Sequence, residues 1–298
     1  MRSAKFDLST GALQTWLFVL RHETKYTKIH LTRLDRRNRH SKAAVIARGG
    51  PVVSVTTHGD RLNGVHLVLE SIAAGSTLPS RLVLWVDTRE ALDKPSPGLQ
   101  RLVSRGLEVR LSENFGPHTK YYPYLLSTDK FDSPLVTADD DLLYSKWWLQ
   151  GLVRSHHENP EVVNCYRAHL MRLAAGTIAP YQTWTPCEST TPSFLHFATG
   201  TSGCIYPPSL LNKLKLAGSE FLERCPTSDD VWLHVNAVRA GIKVRQVWNR
   251  PLRFPLVPGT QRAGLFHSNC SLARNDEHIG NTYTPADIAF LEFFAASL

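Results

Sequence analysis

The sequence predicts an α/β fold, a mixed sheet flanked by helices, on three observations. Short apolar runs of strand length at 51–57, 82–86 and 108–111 alternate with a helix-length segment at 65–74. A further strand-like start, Leu135-Val136, runs directly into three carboxylates, Asp139, Asp140 and Asp141, and then into a helix-like segment at 145–153. Finally, 42% hydrophobic and 20% charged residues in 298 positions are the proportions of a chain that buries a substantial core.

Taken in order, the run 51–57 is β-branched and ends in the polar turn His58-Gly59-Asp60, as a buried strand delivering a loop would. The segment 65–74 stops at Gly75, a suitable helix end, and the strand 82–86 is followed by Asp87. Asn114, Gly116 and Pro117 form a loop after the third strand, and Lys120 is expected in the first turn of the helix that follows. After the acids, 162–166 reads as a strand, whereas 174–198 loses periodicity and reads as a long loop in which Trp184 either packs beneath the loop or offers an aromatic face to a ligand. Ser228 through Gly241 reads as a helix with Ser228 as cap, Asp229 and Asp230 in its first turn, and Val231, Val235 and Val238 near helical spacing. A last strand is expected at 244–248.

The charge is unevenly placed. Residues 1–50 hold 11 Lys or Arg against 3 Asp or Glu, which accounts for the whole net charge of +8 and leaves the remainder balanced. The chain therefore divides into a basic extension, 1–50, and a body, 51–298, itself split at the acid triplet into 51–141 and 142–298. The apolar stretch 12–20 followed by Arg21, His22, Lys25 and Lys28 suits either a peripheral membrane or partner contact or a helix packed on the body. No apolar run reaches the roughly 18 residues of a membrane span and no signal-peptide pattern is present, so a cytoplasmic location, peripheral at the inner face of the membrane if the extension docks there, is expected. Five cysteines without a Cys-x-x-Cys pair suggest buried thiols.

Three adjacent acids at a strand end suit either a divalent cation, which prefers carboxylate oxygens, or an acidic turn ahead of a helix. Their order with two later motifs is more specific. The Asp-Asp-Asp triplet, then Thr199-Gly-Thr-Ser-Gly-Cys-Ile-Tyr-Pro-Pro208, then Ser228-Asp-Asp-Val-Trp-Leu233 resembles the GT-A nucleotide-sugar glycosyltransferases, in particular bacterial inverting enzymes of family 2, over roughly residues 51–270.

That resemblance implies a Rossmann-like GT-A domain over 51–298, with a nucleotide-binding half, 51–141, and an acceptor half with the C-terminal segment, 142–298, and assigns roles. Thr56, Thr57, His58 and Asp87 would contact the nucleoside, and Lys120 the diphosphate. Asp141 would bind Mn2+ or Mg2+ most directly, Asp139 would face the ribose or the metal through water, His267 would be a third ligand, and Asp140, also on the donor side, would be the least committed acid. Gly203, with Gly200, would let the backbone approach the donor sugar. Asp230 would be the general base, kept ionised at a helix start, and Asp229 would bond the acceptor. The expected reaction is metal-dependent, inverting transfer from a nucleoside-diphosphate sugar, a UDP-sugar by preference, to a hydroxyl of a glycan or glycolipid such as a cell-envelope glycan. The rivals are a metal-dependent nucleotidyl- or phosphotransferase and a non-enzymatic polyanion-binding protein; no nucleic-acid partner is expected.

Overall fold

The structure is a computed structural model and describes residues 26–258, 260 and 274–297. A helix over 26–40 (α1) precedes the strand Val52–Thr57 (β1) and the helix Val65–Ala73 (α2). There follow Arg81–Val86 (β2), Arg89–Asp93 (α3), Pro97–Val103 (α4), Leu107–Leu111 (β3), Tyr122–Leu126 (α5), Leu135–Ala138 (β4), Trp148–Glu158 (α6) and Val163–Cys165 (β5). Ala168–Leu170 (β6), Leu173–Ala174 (β7), Thr177–Ile178 (β8), Thr185–Pro186 (β9) and His196–Ala198 (β10) are short strands, and Cys204–Tyr206 (β11) returns to the main sheet. Pro208–Ala217 (α7), Phe221–Arg224 (α8), Asp229–Arg239 (α9), Val244–Gln246 (β12), Arg274–Thr282 (α10) and Pro285–Ala296 (α11) complete the described chain.

The main sheet has seven strands in the order β12-β5-β11-β4-β1-β2-β3, parallel throughout except for β11, which is antiparallel to β4 and β5. The centre is apolar on both faces because helices cover both: Val53, Val55, Leu82 and Leu84 face one layer, and Val52, Val83 and Trp85 the other. Parallel strands bring their C-terminal ends to one edge, where Thr57, Asp87 and the triplet after Ala138 emerge together.

Two expectations change. The stretch 174–198 is built into structure: β9, β6 and β10 form a small sheet, β7 and β8 a hairpin, and Trp184 is buried with its indole N–H donating to Ala179 O at 2.8 Å. Short strands of two or three residues are too brief to show a period. Ser228 is not a side-chain cap; its hydroxyl bonds Asn275 Oδ1 (3.1 Å) and His278 Nδ1 (2.8 Å), partners that α10 supplies from 47 and 50 residues away.

Within the basic segment 1–50, α1 packs on the body through fully buried Glu70 of α2, whose carboxylate receives Arg105 at 2.8 and 3.1 Å, Arg37 at 3.0 Å and Asn38 at 3.2 Å. Leu34 and Val45 are buried beside it. Glu70→Gln keeps an acceptor but removes the charge that three donors share, and should cost about 2 kcal/mol in urea unfolding; an unchanged midpoint would show the network to be dispensable. The stretch 12–20 lies outside the described residues, and among those described no helix is long and apolar enough to cross a membrane. Cys165, Cys187, Cys204 and Cys225 are buried thiols; Cys270 lies outside the described residues.

Candidate active site

The acidic turn after β4 is held from beneath. Tyr144, wholly buried and packed on Trp148 with ring centroids 4.2 Å apart, accepts a hydrogen bond from the Asp139 N–H at 2.7 Å. Val257 N–H donates to Asp141 O at 2.7 Å from the far side of the turn.

From this platform the side chains separate. Asp139 meets Lys120 Nζ at 2.5 Å, and the same ammonium lies 4.0 Å from Asp229 Oδ2 on the first turn of α9. Next to it, Asp230 Oδ1 accepts the Gly200 N–H at 2.7 Å. A Cβ at Gly200 would stand 3.1 Å from Asp230 Oδ1 and 3.8 Å from Lys120 Nζ, so glycine there lets the backbone enter the acid cluster. Lys120 ends a 3-10 turn, Gly116–Lys120, rather than opening the next helix. Lys120 thus joins two acidic groups some 90 residues apart in the chain.

Asp140 departs from expectation. Far from being the least committed acid, it is buried and paired with Arg61 Nη1 at 2.7 Å, while Arg61 Nη2 lies 3.5 Å from Asp141 Oδ2. Arg61 is a functional candidate that sequence reasoning missed. It follows His58-Gly59-Asp60 in the turn after β1, and its basic charge in a strand-end loop was the available signal.

Five carboxylates here face two cations, Arg61 and Lys120. Burial pulls the Lys120 ammonium down, but Asp139, Asp229 and Asp230 outweigh it and hold the group firmly charged. Asp141 is pushed up to about 6 by burial and by Asp139, against the pull of Arg61. Asp229 is raised by burial, with Lys120 opposing. Asp230 is raised to about 8 by burial and by Asp229, which Lys120 and the Gly200 N–H only partly offset. This runs against the expectation that a helix start keeps Asp230 ionised: in the crowded acid pair, burial and Asp229 raise the carboxyl more than the helix start lowers it.

The nucleoside candidates line the same edge. Thr56 Oγ1 lies 3.5 Å from Trp85 O, Thr57 is buried, His58 is exposed, and Asp87 accepts from Asn114 Nδ2 at 2.9 Å. Gly203, whose N–H donates to Gly200 O at 3.1 Å, has φ +102° and lies against the Trp148 indole, where a Cβ would come within 2.8 Å of the ring. The close approach shown by the structure is to Trp148. His267 lies outside the described residues.

Among the described residues no group of three or more His, Cys, Asp or Glu is arranged as a ready-made metal cage. The donor chemistry nonetheless fits a hard cation: carboxylates outnumber cations by three, and Asp140 Oδ2 is buried with no hydrogen-bond partner.

The sheet, mostly parallel with one reversed strand and carrying an acidic turn at the end of β4, has the GT-A type of α/β fold. Among solved structures, the chain is similar to mannosyltransferase PcManGT from Pyrobaculum calidifontis in complex with GDP-Man and Mn2+, at 13% identity over 94% of this chain and 79% of that one, with a TM-score of 0.50. It is also similar to residues 1–349 of TarS from S. aureus (16% identity, 82% and 70% covered, TM-score 0.46) and to a CMP:2-keto-3-deoxy-manno-octonic acid synthetase with CTP (12%, 79% and 100%, 0.42). No protein-family model and no curated protein sequence matches the chain.

Proposed function

We propose that this protein is a metal-dependent, inverting glycosyltransferase that moves a sugar from a nucleoside-diphosphate sugar, a UDP-sugar by preference, to a hydroxyl of a glycan or glycolipid. The observation that carries the reading is the Lys120 bridge, which draws Asp139 and the Asp229–Asp230 pair to one cleft. Sugar transfer needs charge stabilisation at a leaving diphosphate and a base at an attacking hydroxyl, and these two acidic groups sit where each could be supplied.

In this reading Thr56, Thr57, His58 and Asp87 receive the nucleoside at the ends of β1 and β2. Lys120 and Arg61 contribute positive charge toward the diphosphate. Asp141 and Asp139 would hold Mn2+ or Mg2+, with His267 as a further candidate; a bound ion supplies charge stabilisation to the departing diphosphate. Asp230, ionised once the cleft's charge is balanced, takes the proton of the acceptor hydroxyl as that oxygen attacks the anomeric carbon. Asp229 orients the acceptor. Inversion is what the family resemblance implies for a single displacement of this kind.

Incubation with UDP- and GDP-sugars and Mn2+ tests the reading. Release of the nucleoside diphosphate is expected, whereas release of the monophosphate or of orthophosphate would favour nucleotidyl or phosphoryl transfer. Asp141→Ala should weaken Mn2+-dependent nucleotide affinity by about tenfold or more, measured by calorimetry with and without the ion. Equal affinities for the two proteins in Mn2+ would remove Asp141 from the metal site.

A further inference from the structure

Beyond Asp230, on the side of the cleft away from β1, lies a cationic surface that the reaction above leaves unused. Because β5 is parallel to β4, with β11 between them, Arg167 leaves the sheet at the same edge as Asp139, roughly 10 Å away at ordinary strand spacing. Arg167 is half-buried. Its Nη1 donates to Thr199 Oγ1 at 3.1 Å and its Nη2 to His169 Nε2 at 3.2 Å. Thr199 N–H in turn donates to Arg167 O at 3.0 Å, and the next residue, Gly200, is the one that holds Asp230. The guanidinium is thereby tied to the loop that positions the proposed base.

A second arginine joins it. Leu252 N–H donates to Tyr166 O at 2.9 Å, which lays exposed Arg253 alongside Arg167. Burial, with Arg167 and Arg253 adding to it, lowers His169 to about 4, so the imidazole is neutral and adds no charge of its own. Among the described residues neither Arg167 nor Arg253 forms a salt bridge. Arg167 has five N–H donors and places two of them. A planar fork of donors beside a second, exposed guanidinium is the arrangement that recognises an oxyanion in two-pronged fashion.

We propose that Arg167 and Arg253 bind an oxyanion, a phosphate or carboxylate, carried by the acceptor, and so present the acceptor's hydroxyl to Asp230. The proposal rests on the glycosyl-transfer reading and narrows it to acidic acceptors. An anion on the donor is less well served, because the nucleoside candidates and Lys120 lie on the β1 side of Asp230.

Calorimetry tests it. With UDP or GDP and Mn2+ at saturation occupying the donor side, glycerol 3-phosphate and glucuronate are titrated against glycerol and glucose as neutral counterparts. The anions should bind and the neutral compounds should not, with Arg167→Gln and Arg253→Gln each weakening anion affinity about tenfold or more. Arg253 is exposed, so its variant remains informative if Arg167→Gln fails to fold. No anion binding, equal binding of charged and neutral probes, or unchanged affinity in Arg253→Gln would overturn the proposal. The nucleotide titrations are read separately: if neither UDP nor GDP binds, the glycosyl-transfer reading fails, while anion titrations of the same variants without nucleotide still report on the arginines.

Discussion

Asp230→Asn is expected to lower turnover by roughly 10²–10⁴, the range that a positioned general base supplies, while leaving nucleotide affinity nearly intact. Asn keeps the oxygen that accepts the Gly200 N–H, so the loop stays in place and only the proton-accepting capacity is lost. The pH dependence separates this from a structural effect. A carboxyl at about 8 must lose its proton to act as a base, so wild-type kcat/KM should rise with pH through that region and the residual activity of the variant should not. Stability runs the opposite way. Between the ordinary carboxylate range and about 8, the folded protein holds a proton that the unfolded chain has released, so stability falls as pH rises across that window. Asp230→Asn removes this penalty and should gain about 1 kcal/mol over wild type at pH 8–9, seen as a Tm higher by about 2 °C. A variant that turns over at near wild-type rate would take Asp230 out of the mechanism.

Lys120→Met should be the most damaging change to the folded cleft. It leaves the aliphatic volume but strips Asp139 and Asp229 of their shared counter-charge, and an acid left unpaired in a partly dry site costs about 3–5 kcal/mol. The deficit should be full at pH 8 and shrink toward pH 5, because Asp229, already raised by burial and no longer opposed by the ammonium, takes up a proton as pH falls. Urea unfolding at the two pH values checks this. Activity should fall as well, since the proposed diphosphate contact is lost. An equal deficit at both values would mean that the lysine's packing, not its charge, holds the cleft together.

The parallel half of the sheet was readable from the chain because its strands are buried on both faces. The runs 51–57 and 82–86 have no polar alternation to obscure them, and each ends in a polar turn. The acid triplet and the Asp229–Asp230 helix start were likewise visible as charge placed at element ends. What stayed hidden were long-range pairings. Nothing local to Asp140 reveals that Arg61, 79 residues away, neutralises it, or that Ser228 abandons its helix to bond residues of α10. At Gly203 a sequence shows the absence of a side chain but not which neighbour, here Trp148, stands against it.

The sequence by itself determined the class of fold, the strand ends at which acids gather, and the candidate chemistry, since burial period and charge position are local properties of the chain. Only the tertiary structure decided which charges meet. Whether Asp230 is ionised depends on burial, on Asp229 and on a lysine 110 residues away, and an electrostatic field of that kind exists only once distant segments have been packed together.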